Sequence, residues 1–348
     1  MSKIIILPLV LLLVAVATSA QEQNAEQPFR IMFYNVENLF DIEDDPERAD
    51  KEFTPEGERR WNNRKLYDKL HKIYKVIMAA GEWEPPAIVG LAEVENRQVL
   101  EKLVYDTPLK NFGYRIIHHD SPDRRGIDVA MLYREEVFVP LHHRAVRVSD
   151  AEDSAYVTRD ILYVKGLLDG REMIHFFINH WPSRYGGYMA SVERRKLAAA
   201  VLKSQTDSLF RINPKISVVI MGDFNDDPTD VSLRENLGAY TLVEHPADSL
   251  LYNLMLSEDA LGAKGSLKYR GNWNLFDQII VSGSLLREGA EIRINTKSTA
   301  IFHAAFLLEE DETFPGVRPF RTYRGYSYSG GFSDHLPVFT DILLLYPE

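Results

Sequence analysis

The sequence predicts an α/β fold: a core of mixed β-sheet in two layers, with helices outside. Three observations carry that expectation. Short apolar runs outnumber helical patterns, only some of those runs are joined by helices, and no composition shift marks a linker between two domains. Strands joined partly by turns and partly by helices do not form a simple parallel doubly wound sheet.

Taken in order, Phe29–Tyr34 reads as the first strand. Asn62–Ala80 carries Leu66, Leu70, Ile73, Ile77 and Met78 at helical spacing, and Gly81 stops it. Ala87–Ala92 is a strand, Arg97–Tyr105 a short helix, and Tyr114–His118 and Ile127–Tyr133 are strands. Val137–Val148 and Val157–Leu168 read as longer strands, and Glu172–Asn179 follows the Asp169-Gly170 turn as a hairpin partner. Tyr188–Phe210 is a long amphipathic helix on which Arg194-Arg195-Lys196 reads as a solvated face. Ile216–Met221 is a buried strand and Thr229–Leu237 a helix. Phe276–Ser282, Ala290–Asn295 and Pro337–Leu345 close the chain as strands, with Glu309–Gly331 a long surface loop beside the site.

The N-terminus reads as a targeting segment. Lys3, the apolar stretch Ile4–Val16 and the small-residue exit Ala17-Thr18-Ser19-Ala20 have the layout of a secretory signal, over residues 1–20. Residues 21–28 read as a disordered leader and 29–348 as one domain, secreted or periplasmic, monomeric and without stable membrane association once the signal is cleaved. With no Cys, an exported chain must hold itself together by core packing alone, without disulfides. The net charge of −11 argues against tight non-specific binding to nucleic acid, which uses a basic surface. It does not argue against an enzyme that meets nucleic acid at one metal-loaded cleft.

Polar residues gather where apolar runs end. Phe29–Tyr34 runs into Asn35-Val36-Glu37-Asn38, Ala87–Ala92 into Glu93-Val94-Glu95-Asn96, Phe176–Ile178 into Asn179-His180-Trp181, and Ile216–Ile220 into Gly222-Asp223-Phe224-Asn225. Conversely, Asp277 precedes Gln278–Val281, and Ser333-Asp334-His335 precedes Leu336–Phe339. If the last two strands run antiparallel to the others, all these clusters meet at one sheet edge, where α/β proteins commonly bind ligands. The residue types suit hydrolysis of a phosphate ester at a divalent cation. Hard cations such as Mg²⁺ or Mn²⁺ take oxygen ligands, which Glu93, Asp334 and the amide of Asn35 can supply. Asp223 suits a base for the attacking water, Asn225 a holder of water or phosphate, and His180 and His335 donors to developing charge. Asp277 is placed to fix the tautomer of His335. The doublets His118-His119 and His142-His143 have no third ligand at zinc-site spacing.

Tyr34-Asn35-Val36-Glu37-Asn38-Leu39-Phe40, Ala92-Glu93-Val94, Asn179-His180-Trp181-Pro182-Ser183-Arg184, Gly222-Asp223-Phe224-Asn225, Phe276-Asp277-Gln278-Ile279 and Ser333-Asp334-His335 occur in the order of the endonuclease/exonuclease/phosphatase superfamily, which the chain resembles over nearly its whole length after the signal. The resemblance implies a DNase-I-like fold: a four-layered α/β sandwich, with two mixed sheets face to face and helices on both outer sides. It implies a metal site at Asn35 and Glu93, with Asp334 beside it. It implies that Asp223 and Asn225 handle nucleophile and phosphate, that His180 and His335 contact the scissile phosphate, and that Asp277 partners His335. The cofactor expected is Mg²⁺ or Mn²⁺, with Ca²⁺ as a third candidate. The opening Asn35–Asp41 is similar to that of secreted bacterial nucleases of the family, which implies DNA or RNA as substrate. Arg125, Trp181, Arg184, Tyr188 and Arg324 are the expected substrate contacts, since Arg and aromatic rings suit phosphate clamping and base stacking. The competing expectation is a phospholipid, as in a sphingomyelinase, or an inositol or sugar phosphate. A lipid-acting enzyme needs an exposed apolar segment, for which Ala300–Leu308 is the candidate.

Overall fold

Continuous apolar runs become strands buried on both faces, and their positions set the frame for everything polar around them. The computed structural model describes residues 26–82, 84–256 and 265–346. The expected signal peptide therefore lies outside the described residues.

The strands are β1 (Glu26–Leu39), β2 (Ile88–Val94), β3 (Tyr114–His118), β4 (Asp128–Arg134), β5 (Phe138–Val146), β6 (Ile161–Leu168), β7 (Glu172–His180), β8 (Ser217–Asp223), β9 (Ala239–Tyr240) and β10 (Leu251–Asn253). They continue with β11 (Leu267–Tyr269), β12 (Asn272–Asn274), β13 (Asp277–Ser282), β14 (Ile292–Ile301), β15 (Leu308–Glu310), β16 (Val317–Pro319), β17 (Tyr323–Arg324), β18 (Ser327–Tyr328) and β19 (Val338–Leu345). One sheet has the order β14-β19-β1-β2-β4-β3, the other β5-β6-β7-β8-β13-β10-β9. Both are mixed: β1 runs parallel to β2 and β7 parallel to β8, while β13 and β19 run antiparallel to β8 and β1. The strands that end in polar residues and those that begin with them thus bring their polar ends to one edge.

The two sheets pack face to face through β1 and β2 against β7 and β8. Gly90 in β2 leaves room for this packing: a Cβ there would lie 3.1 Å from Met221 Sδ and 3.2 Å from the Ile178 side chain of the facing sheet. Helices α1 (Asn63–Gly81) and α2 (Arg97–Tyr105) cover the outer face of the first sheet, and α3 (Tyr188–Ile212) that of the second. Asn62 and Asn96 cap α1 and α2 by accepting from Lys65 N and Val99 N. Ala198, Ala199, Leu202 and Phe210 of α3 pack on Val218 and Ile220 of β8. The result is the four-layered sandwich.

Several local expectations are corrected. Glu26 and Gln27, expected in a disordered leader, extend β1 by pairing with Leu345 and Leu344. Val157–Asp160 is not strand, because Arg159 turns inward to an ion pair. The helix expected over Thr229–Leu237 is a single turn, Ser232–Leu237, since Asp230 is engaged by Arg184 and by Asp227 N. Glu309–Gly331 is not a plain loop but carries the hairpins β15–β16 and β17–β18. In Ala300–Leu308, Phe302 and Phe306 pack against the core rather than forming an exposed apolar hairpin. No described helix is long and apolar enough to cross a membrane. Arg195, expected on a solvated face, is 0 % exposed and pairs with Asp226 at 2.7 Å.

Burial also sets an acid limit. His175 in β7 faces Tyr163 Oη at 2.8 Å, and burial, helped by Lys165, pushes its imidazole down from 6.5 to about 4. The folded state favours the neutral ring, so this contribution is intact above pH 6.5 and is lost as pH falls toward 4. We expect His175→Gln to flatten the loss of stability across that window by about 2 kcal/mol, read from urea melts at stepped pH. Parallel pH profiles for the two proteins would refute it.

Candidate active site

Four non-glycine residues with positive φ cluster at the polar edge: Glu37 (53°), Asn38 (56°), Glu93 (62°) and Asn225 (51°). Left-handed backbone is costly outside glycine and persists where surrounding contacts enforce it. Here those contacts converge. Asn38 N donates to Glu93 Oε2 at 2.9 Å, Glu37 N to Asn35 Oδ1 at 3.0 Å, and Asn225 N to Asp223 Oδ1 at 2.9 Å.

The centre of the arrangement is Asp223 at the end of β8. Its Oδ2 accepts from Asn35 Nδ2 at 3.0 Å, with His180 Nε2 at 3.6 Å and His335 Nε2 at 3.7 Å. Glu93 Oε1 lies 3.5 Å from Asn35 Nδ2 and 4.0 Å from His180 Nε2. Asp277, paired in register with Asp223, holds His335 Nδ1 at 2.7 Å. Gly222 permits this crowding, since a Cβ there would lie 2.5 Å from the carbonyl oxygen of Asn179. Asn35, Glu93, His180, Asp223, Asp277 and His335 therefore share one site, although β1 and β8 are far apart in the chain.

Electrostatics follows from burial and neighbours. Burial pushes the Asp223 carboxyl up to about 7, against the opposing pull of His335. Burial alone would discharge His335, but Asp277 and Asp223 outweigh it and hold its imidazole well above the usual range. His180 is pushed well below that range by burial, then by Arg159 and Arg125. Burial works against the Asp334 charge as well, yet Arg321, His335 and Lys69 keep its carboxyl below the ordinary value. One imidazole favoured as a cation and one as a neutral ring thus flank the same carboxylate.

The chemistry of the donor set fits a hard divalent cation: the Glu93 carboxylate lies beside the Asn35 amide, whose Nδ2 points to Glu93 Oε1 while its Oδ1 accepts from Glu37 N and keeps a second lone pair, and the Asp334 carboxylate is on the adjoining segment. Asp334 already pairs with Arg321 at 2.7 Å, and Arg321 also reaches Glu37 at 3.3 Å.

The expected substrate contacts fall into different places. Arg125 sits at the rim, donating to Asn38 Oδ1 at 2.6 Å and lying 3.9 Å from Glu93 Oε2. Trp181 does not line a groove: it is 1 % exposed, its ring crosses Phe224 edge-on, and its Nε1 donates to Asn179 Oδ1. Arg184 is engaged by Asp226, Asp227 and Asp230 and donates to the Asn225 carbonyl at 2.9 Å, so it props the Asp223–Asn225 turn. Tyr188 stacks beside Arg184 and Arg195 at the start of α3. Arg324 is paired with Glu309 and Glu312. Asn225 donates Nδ2 to the Trp181 carbonyl at 3.1 Å, leaving its second amide hydrogen for a ligand.

Two residues escape sequence reasoning. Arg159 donates to the carbonyls of His180 (3.2 Å) and Trp181 (2.7 Å) and pairs with Asp123 at 3.0 Å. It borders an apolar run, as the other site residues do, but was absorbed into an overlong strand. Lys69 is buried and donates to Thr322 Oγ1 and the Phe332 carbonyl, both at 2.6 Å; its place among Leu66, Leu70 and Ile73 on one helix face was the available signal.

No curated protein matches the chain by sequence. Among solved structures it is similar to an endonuclease/exonuclease/phosphatase family protein from Bacteroides thetaiotaomicron, at 15 % identity and TM-score 0.55 over 92 % of this chain and 97 % of that one. It is similar to the human Nocturnin catalytic domain with bound sulfate, at 16 % identity and TM-score 0.52 over 90 % and 94 %. It is also similar to D. rerio TDP2 complexed with single strand DNA product, at 12 % identity and TM-score 0.54 over 90 % and 98 %. At such identities the likeness is one of fold. Residues 30–343 match the Endonuclease/Exonuclease/phosphatase family, and the chain belongs to that family of metal-dependent phosphodiesterases.

Proposed function

We propose that the protein is an exported, Mg²⁺- or Mn²⁺-dependent nuclease that hydrolyses phosphodiester bonds of DNA or RNA. The observation that carries this reading is the convergence of Asn35, His180 and His335 on Asp223 Oδ2. A bound cation, held by Glu93, Asn35 and Asp334, would polarise the phosphoryl oxygen. Asp223 takes the proton of the water that attacks phosphorus in line, with the Asn35 amide fixing the receiving oxygen. His335, oriented by Asp277, donates toward the phosphoryl or leaving oxygen, and His180 and Asn225 donate to the remaining oxygens. Arg125 at the rim suits a phosphate. The single-strand DNA product held by D. rerio TDP2, a protein of the same fold, accords with a nucleic acid substrate here. Export rests on the Lys3–Ala20 pattern.

The test is a panel of plasmid DNA, RNA, bis-p-nitrophenyl phosphate, sphingomyelin and inositol phosphates, each with Mg²⁺, Mn²⁺, Ca²⁺ or EDTA. We expect cleavage of nucleic acid and of bis-p-nitrophenyl phosphate with Mg²⁺ or Mn²⁺, and none with EDTA. Hydrolysis of sphingomyelin or an inositol phosphate with nucleic acid left intact would overturn the substrate assignment.

A further inference from the structure

The short hairpin β11–β12 has no role in the chemistry above, yet it is tied to the catalytic centre at its base. Leu267 forms a bridge with His335, Leu336 N donates to the Ser266 carbonyl at 2.7 Å, and Asp277 N donates to Ser266 Oγ at 3.1 Å. The position of the hairpin tip is thereby coupled to His335 and Asp277. The tip is a two-residue turn, Arg270-Gly271, with φ of 48° and 83°. Consecutive left-handed residues suit the tight turn of a twisted hairpin.

Beside this hairpin lies a cavity of about 180 Å³ that extends to Arg321 and Asp334 of the active site. Its lining also includes the cations Lys268, Arg270 and Arg318, against the carboxylates Asp311 and Asp334, in a chain whose net charge is −11. Lys268 and Arg318 are paired with Asp311, and Arg321 with Glu37 and Asp334. Arg270 differs: among the described residues it has no carboxylate at ion-pair distance, and its guanidinium lies over the Tyr269 ring at 5.3 Å. Two rings line the same cavity, Tyr269, 60 % exposed, and Phe314, 38 % exposed. Phe314 rests on the turn, where a Cβ on Gly271 would come 2.9 Å from its ring.

A guanidinium without a carboxylate partner over one exposed ring, with a second ring lining the same cavity beside a phosphodiester site, matches one repeat of a nucleic acid strand, a phosphate with a base next to it. Stacking of bases on exposed aromatic side chains combined with cationic backbone contacts is how single strands are bound without sequence preference. We infer that the β11–β12 hairpin is the arm that takes the nucleotide flanking the scissile phosphate, Arg270 holding its phosphate and Tyr269 and Phe314 stacking its base. This inference rests on the nuclease reading above and specifies where the strand leaves the catalytic centre.

The test uses the whole protein with two substrates, a labelled single-stranded oligonucleotide and bis-p-nitrophenyl phosphate, which has no flanking nucleotide. The variants are Tyr269→Ala, Tyr269→Phe and Arg270→Asn, the last chosen because Asn tolerates the left-handed turn. Tyr269→Ala and Arg270→Asn are each expected to lower kcat/KM on the oligonucleotide about tenfold, with bis-p-nitrophenyl phosphate turnover unchanged. Tyr269→Phe, which keeps the ring, should behave as wild type. Arg270→Asn should also make the dependence of log kcat/KM on log salt shallower by about 0.7. Undiminished oligonucleotide cleavage by Tyr269→Ala and Arg270→Asn overturns the inference and leaves the nuclease reading standing. Equal losses on both substrates also overturn it, by assigning the hairpin a structural role. A wild-type protein that hydrolyses bis-p-nitrophenyl phosphate but no nucleic acid overturns both.

Discussion

Asp223→Asn and Asp223→Ala are expected to lower kcat on a phosphodiester by roughly 10²–10⁴-fold, the range that a positioned proton acceptor contributes. The fold should persist. Burial already opposes the Asp223 charge, and an Asn side chain can still accept from Asn225 N, which donates to Asp223 at 2.9 Å. His335→Ala should fall in the same range, because His335 Nε2 is the donor nearest Asp223 that is also held from behind, by Asp277 at 2.7 Å. Asp277→Asn should cost less, since the imidazole remains and only its orientation and charge are weakened. Single-turnover rates with saturating Mg²⁺, alongside melting temperatures, separate chemistry from folding. Near-normal turnover in either Asp223→Ala or His335→Ala would refute the assignment.

The second large effect is expected at Arg159, which touches no reacting group in the proposed mechanism. It anchors the chain at His180 by bonding two successive carbonyls, and it neutralises Asp123 inside the protein. Arg159→Leu leaves Asp123 buried without its cation and takes a donor from each carbonyl, the Trp181 carbonyl keeping only Asn225 Nδ2, which should cost about 3–5 kcal/mol in urea unfolding. The double variant Arg159→Leu with Asp123→Leu should recover part of that loss, because no lone charge remains. Activity should fall in both, as His180 loses its support. An unchanged unfolding midpoint in Arg159→Leu, or a double variant no more stable than the single, would show that the pair does not hold this corner.

How far the site could be read depended on how each residue is presented in the chain. Asn35, Glu93, His180 and Asp223 each follow an apolar run, and Asp277 and His335 precede one, so their type and place at strand ends were visible. Arg159 and Arg195 were not, because a charged residue inside a patterned segment reads as solvated until its partner is known. Each partner is a carboxylate elsewhere in the chain: Asp123 for Arg159 and Asp226 for Arg195. Trp181 differs the other way: an aromatic residue next to a candidate catalytic histidine suggests a groove, but the following side chain of a strand end points to the opposite face, here into the Phe224 layer.

The α/β class, the order of the buried strands and the polar character of their ends were determined by the sequence itself, because side-chain periodicity and burial are local properties of a strand or helix. Which polar ends meet was decided only by strand order. The antiparallel placement of β13 beside β8 sets Asp277 against Asp223, and β19 beside β1 brings the Ser333–His335 segment to Asn35, whose carbonyl accepts from Ser333 Oγ at 2.7 Å. No local pattern encodes those neighbours. Their proximity comes from burying two sheets against each other; that burial pushes Asp223 up and His180 down, while the carboxylates it brings beside His335 hold that imidazole up against it.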